Sequence, residues 1–171
     1  MNKETKAFIS SKIEELQTIC DELEYETEAL EIDDTEIPTV NIFVAENDQG
    51  NQVTVTCNLI PMTLSDIPVL FLQFYMCVSA PIPEEKKEIL NEFIRLQNER
   101  FMIGNILIFS DSVCLKYSLY LDIDKNIDPD LFARSLDVFI YEANTIAKKS
   151  MDLIDGTMTL DQALETGTFF Y

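Results

Sequence analysis

The sequence predicts an α+β fold, a five-stranded antiparallel sheet with elements in the order α-β-β-β-α-β-β-α and a short additional helix near the C-terminal end. Three observations predict it. Apolar residues recur at steps of three and four in three separated stretches, the period of a helix with one buried face. Between those stretches lie runs that alternate apolar and polar residues or are rich in β-branched and aromatic side chains, as strands are. Prolines and glycines fall at the joins. At 171 residues, the chain is expected to form a single domain with its own core.

From Thr5 to Glu24, residues Ile9, Ile13, Leu16, Cys20 and Leu23 share one face of an amphipathic helix. Between Glu22 and Glu36 acidic residues crowd together, interrupted by Tyr25, Leu30 and Ile32, which reads as a loop or frayed edge segment before Pro38. Two β-rich runs, Thr39 to Ala45 and Gln52 to Ile60, flank a turn that includes Gly50 and Asn51 and so form a hairpin. A second turn, Leu64 to Pro68, leads into a third strand, Val69 to Ala80, apolar on both faces. Pro81 and Pro83 stop it and start a helix that runs to about Asn98. Its apolar residues Ile89, Leu90, Phe93, Ile94 and Leu96 cover an arc wider than one neighbour needs.

Asn105 to Phe109 and Val113 to Ile123 form a second hairpin around Ser110-Asp111-Ser112, and the latter strand alternates strictly. Asp128-Pro129 is a helix start, a capping residue before proline, and Phe132, Leu136, Phe139, Ala143, Ile146 and Ala147 line the buried side. Lys148 and Lys149 suit its C-terminal end. Thr159 and Gln162 stand at capping-box spacing ahead of a one- to two-turn helix, and the aromatic end Phe169-Phe170-Tyr171 is expected to dock.

The totals narrow the chemistry. A net charge of −19 repels phosphate backbones and anionic membrane surfaces, which disfavours nucleic-acid binding, and reads either as a solvated surface that maintains solubility or as a match for a basic partner. The start lacks a basic segment followed by an apolar one, and no apolar run approaches the roughly 20 residues of a membrane helix, so a cytoplasmic chain with no membrane segment is expected. With no histidine, Ser-His-Asp and Cys-His catalytic sets cannot be built. Four scattered glycines cannot form the closely spaced loops that cradle phosphates. Cys20, Cys57, Cys77 and Cys114 have no C-x-x-C spacing and read as buried free thiols.

Asp122 to Asp128 copies the start of a calcium loop, but Ile127 stands where the sharp-turn glycine is needed and Ala133 where the closing glutamate is needed. Asp128 is better explained as a helix cap. Glu84, Glu85, Glu88 and Glu92, mixed with Lys86 and Lys87, read as a solvated helix face. No catalytic residue, metal or cofactor is therefore expected. In the third strand, Leu70, Leu72, Phe74, Met76 and Val78 face the main core, while Val69, Phe71, Gln73, Tyr75 and Cys77 point the other way and need a cover. Either the broad second helix covers them within the monomer, or another chain does, in a homodimer or partner surface formed by Phe71, Tyr75, Phe93 and Leu96.

The stretch ILNEFIRLQNERFMIGNILIFSDSVCLKYSLYLD, a helix leading through Gly104 into a hairpin and an acidic turn, resembles the YbjN family of bacterial sensory transduction regulators. The resemblance spans roughly Phe8 to Met151. That family's fold is similar to type III secretion chaperones, and the resemblance implies a small, acidic, dimeric protein that binds client segments without an active site. The leading expectation is a chaperone-like or regulatory protein-binding module; a small hydrolase using carboxylates and tyrosine, and a structural subunit of a complex, are the alternatives.

Overall fold

Helix α1 spans Lys3–Glu22, followed by strands β1 (Glu26–Ala29), β2 (Thr39–Glu46), β3 (Gln52–Leu64) and β4 (Ile67–Cys77). A single 3-10 turn, Glu84–Lys86, leads into helix α2 (Lys87–Asn98), then strands β5 (Gly104–Phe109) and β6 (Ser112–Leu121), and helices α3 (Pro129–Asp155) and α4 (Leu160–Glu165). This computed structural model describes residues 3–30, 37–46, 52–64, 67–77, 81–99 and 104–165. The expected turn at residues 47–51 and the docking of Phe169 to Tyr171 lie outside them.

The sheet has six strands in the order β1-β2-β3-β4-β6-β5, where five were expected. The added strand is β1, in the acidic segment read as a loop or frayed edge. Its sequence, Glu-Thr-Glu-Ala, has little strand preference of its own, but each residue pairs with β2, from Glu26 opposite Phe43 to Ala29 opposite Val40. A sheet edge supplied by β2 therefore decides the conformation.

Contacts within the chain gather into two units, one formed by Met1–Tyr75 with Ser118–Val138 and the other by Met76–Tyr117 with Phe139–Tyr171. In the first unit, Ile9, Leu16 and Cys20 of α1, Val40 and Ile42 of β2, Val55, Cys57 and Leu59 of β3, and Leu70, Leu72 and Phe74 of β4 are fully buried. Phe132 joins them from α3, its ring centroid 5.7 Å from that of Phe74. Burying so large a ring makes Phe132→Ala worth about 3–5 kcal/mol.

In the same unit α1 ends on Glu24, which takes the left-handed conformation at φ 63°. The Glu24 N–H donates to the Asp21 carbonyl at 3.1 Å and the Tyr25 N–H to the Cys20 carbonyl at 2.9 Å, the paired bonds of a Schellman stop. The Asp122–Asp128 stretch is tied down by α1. Buried Lys12 donates to Glu15 at 2.8 Å and to the Lys125 carbonyl at 2.7 Å, and Glu15 accepts the Ile127 N–H at 2.6 Å. Asp128 then caps α3, accepting the N–H groups of Asp130 and Leu131 at 3.0 and 3.2 Å.

In the second unit, Leu90, Phe93, Ile94 and Gln97 form the buried stripe of α2, a spacing of three, one and three that is one helical face. The last residue of the helix, Asn98, does what a neighbouring strand would do. Its side-chain oxygen accepts the Ile106 N–H and its amide donates to the Ile106 carbonyl, both at 2.8 Å. Since β5 is the last strand of the sheet, this closes part of an otherwise open edge.

The tight turn between β5 and β6 places Ser110 and Asp111 at positive φ, 46° and 64°, which suits a two-residue hairpin. Helix α3 continues past Lys149 to Asp155, so Lys149 is buried within the helix and not at its end. Gly156, at φ 73°, terminates it, with the Thr157 N–H donating to the Asp152 carbonyl at 3.0 Å. The expected capping box holds α4: Thr159 N–H donates to Gln162 at 2.9 Å and Gln162 N–H to Thr159 Oγ1 at 3.3 Å.

Candidate partner-binding face

The alternation of β4 divides its side chains between two faces of the sheet. Leu70, Leu72, Phe74 and Met76 are buried, while Phe71, Gln73 and Tyr75 are half-buried and Cys77 is exposed. Register with the neighbouring strands assembles the second face. Ile60 of β3 lies opposite Phe71, Asn58 opposite Gln73 and Thr56 opposite Tyr75. On the other side, Gln73 Nε2 donates to Ser118 Oγ at 3.2 Å and the Phe71 ring meets Tyr120 edge-on, with centroids 6.1 Å apart. Each step of two along β4 is matched by a step of two back along β6, so these strands run antiparallel.

In the first unit this face therefore carries rows of different character. Ile60, Phe71 and Tyr120 make one row of apolar and aromatic side chains across three strands. Exposed Met62 follows Ile60 along β3, two residues on and so on the same face. Thr39, Asn58, Gln73 and Ser118 make a polar row beside it, with Thr39 Oγ1 donating to Asn58 at 2.9 Å. Asn41 accepts from Thr56 Oγ1 at 3.1 Å in the next row, which continues to Tyr75. Partial burial raises the Tyr75 phenol above its ordinary pKa, so the hydroxyl is protonated at neutral pH.

At the flank of that face stand Glu26 and Glu28, opposite Phe43 and Asn41 and both exposed. Tyr120 is 58% and Met62 46% exposed, so apolar and aromatic area reaches solvent on the face whose β1 edge carries Glu28, in line with the Tyr75 row. The row holds apolar contact area next to hydroxyl and amide groups, a composition suited to gripping a chain segment.

The expected site residues do not all lie there. Phe71 and Tyr75 do, and they sit in the first unit with Tyr120, whose place opposite Phe71 depends on a neighbour 49 positions away in sequence. Phe93 is fully buried among the core residues of α2 and presents no ring to a partner, which corrects its expected role. Its helix is apolar over a wide arc, and the packed stripe runs through Phe93. Leu96 is half-buried on the flank of that stripe, in the second unit.

Cys20 and Cys57 are buried free thiols as expected, but Cys77 and Cys114 form a disulfide within the second unit. The spacing of 37 residues conceals the pairing, because it takes the sheet to bring the two strands together. The acidic side of α2 is a shallow depression of about 640 Å³ lined by Glu84, Lys87, Glu88, Asn91, Glu92 and Arg95. Lys87 pairs with Glu84 at 2.7 Å and Asp111 at 2.9 Å, and its hydrogen bonds with both push its pKa up to about 12. Arg95 pairs with Glu92 and Glu99. These charges satisfy one another on a solvated surface.

Two carboxylates of the calcium-loop lookalike are in use, Asp128 as the cap of α3 and Asp122 within the loop. Asp122 accepts the Asp124 N–H at 3.1 Å and pairs with Lys125 at 2.8 Å, and these bonds hold its carboxyl below the ordinary range. Among the described residues no helix is long and apolar enough to cross a membrane. No family model, curated protein or solved structure matches the chain.

Proposed function

We propose that the protein is a non-enzymatic, chaperone-like binding module that holds a basic, partly apolar segment of a partner protein against its outer sheet face. The observation that carries this reading is the row Ile60, Phe71 and Tyr120, which brings apolar area from three strands to a face flanked by Glu26 and Glu28. Apolar side chains of the segment lie on that row, and its cations face the glutamates. Net charge of −19 accelerates the encounter, and the row provides the grip. The resemblance of the stretch from Ile89 to Asp122 to YbjN proteins supports the same reading.

Charge also selects among occupants. A second copy of this chain carries the same acidic flank, so self-association through this face sets like charges against each other, whereas a basic segment relieves them. A labelled peptide of alternating lysine and leucine tests the choice by fluorescence anisotropy. It is expected to bind the wild type, to bind at least about tenfold more weakly to Phe71→Asp, and to weaken as salt rises. The aspartate makes the protein more acidic, so unchanged or tighter binding by a folded Phe71→Asp protein means that charge alone attracts the peptide and that the face is not the site.

A further inference from the structure

We propose that the Cys77–Cys114 disulfide is a thiol-exchange site, at which a low-molecular-weight thiol attacks Sγ of Cys77. The bond joins the end of β4 to β6, with the two Cα atoms 4.0 Å apart. The two residues that carry it differ in exposure. Cys77 is exposed, whereas Cys114 is fully buried. Exchange needs a thiolate to reach one sulfur along the line of the S–S bond, so access selects Cys77 as the atom attacked and Cys114 as the leaving group.

The attacking thiol must come from outside the chain. Its other two cysteines, Cys20 and Cys57, are both fully buried. Burial pushes the Cys20 thiol up to about 12 and the Cys57 thiol well above its ordinary value, so both are protonated at neutral pH and neither supplies a nucleophile. Internal reshuffling is thereby suppressed while the disulfide remains open to solvent at one end.

In the first step the external thiolate forms a bond to Cys77 Sγ as the S–S bond breaks. The electron pair leaves on Cys114 Sγ, which takes up the proton that the attacking thiol gave up. The products are a mixed disulfide on Cys77 and a free thiol at Cys114. A second molecule of the small thiol then attacks the external sulfur of the mixed disulfide, releasing the Cys77 thiol and the oxidised dimer of the small thiol. Two thiols have supplied two electrons, and the protein disulfide has been reduced.

Glutathione tests this on the full-length oxidised chain at neutral pH, with acid quenching, iodoacetamide labelling of free thiols and peptide mass spectrometry, while circular dichroism shows that the chain stays folded. The expected result is glutathione on Cys77 in at least about tenfold excess over Cys114, with Cys114 recovered as the alkylated thiol. Equal adducts on both cysteines would show that exchange proceeds through the unfolded chain and overturn the assignment. So would an excess on Cys114, an absence of adduct where the urea-unfolded chain reacts, or free thiols at both positions before any reductant is added.

Discussion

Replacing Asn98 by alanine removes both hydrogen bonds from its amide to the backbone of Ile106, each 2.8 Å long. A neutral hydrogen bond contributes about 0.5–1.5 kcal/mol, and the loss is larger when the partner is left buried without a substitute. Ile106 is only 1% exposed, so water reaches its N–H and carbonyl poorly, and the expected loss is about 2–3 kcal/mol. Asn98→Asp separates the two bonds. Its carboxylate still accepts the Ile106 N–H, but the second oxygen confronts the Ile106 carbonyl where the amide had donated, so the bond to the carbonyl is lost and repulsion takes its place. Urea unfolding with linear extrapolation measures both variants, and hydrogen exchange at the Ile106 amide reports the local opening. Light scattering adds a third readout, because the backbone N–H and carbonyl of Ile106 on this edge strand are then open to pair with other chains. A stability within about 0.5 kcal/mol of wild type for Asn98→Ala, together with unchanged exchange at Ile106, would refute the idea that Asn98 closes the edge of β5.

Two further predictions concern helix ends and pH. Glu24→Gly is expected to stabilise the chain by about 1 kcal/mol, since glycine adopts the left-handed conformation at φ 63° without the steric penalty of a side chain; a drop in melting temperature would contradict it. Glu142 on α3 is half-buried, and burial raises its carboxyl pKa, with the charge of Lys149 acting the other way. Its folded state therefore holds the proton more tightly than the unfolded state, so stability falls as pH rises from the unfolded value through the folded one, then levels off. Glu142→Gln should flatten that part of the stability profile, and a profile identical to wild type would show that the burial is not felt.

Much of the fold was legible because single-element signals are local. The stripe Leu90, Phe93, Ile94 and Gln97, the proline after Asp128 and the pairing of Thr159 with Gln162 each lie within two helical turns, and each element appeared where its residues placed it. What was missed depends on residues distant in sequence. Glu-Thr-Glu-Ala becomes β1 only because β2 offers it an edge. Cys77 meets Cys114, and Phe71 meets Tyr120, only because β6 crosses to lie beside β4. The breadth of the apolar arc on α2 suggested two contact faces, but breadth could not say that Phe93 sits at the middle of the packed one. That Phe71 and Tyr75 share the less buried side of the third strand was legible from the alternation of β4 alone.

The most direct measurement is a nuclear magnetic resonance titration of the isotope-labelled chain with the lysine–leucine peptide. The proposed mode of binding predicts that amide and side-chain shifts concentrate at Thr56, Asn58, Ile60, Phe71, Gln73, Ser118 and Tyr120, the rows of the outer face. Shifts confined to the acidic side of α2, at Glu84, Glu88 and Glu92, with the sheet face unmoved, would contradict it.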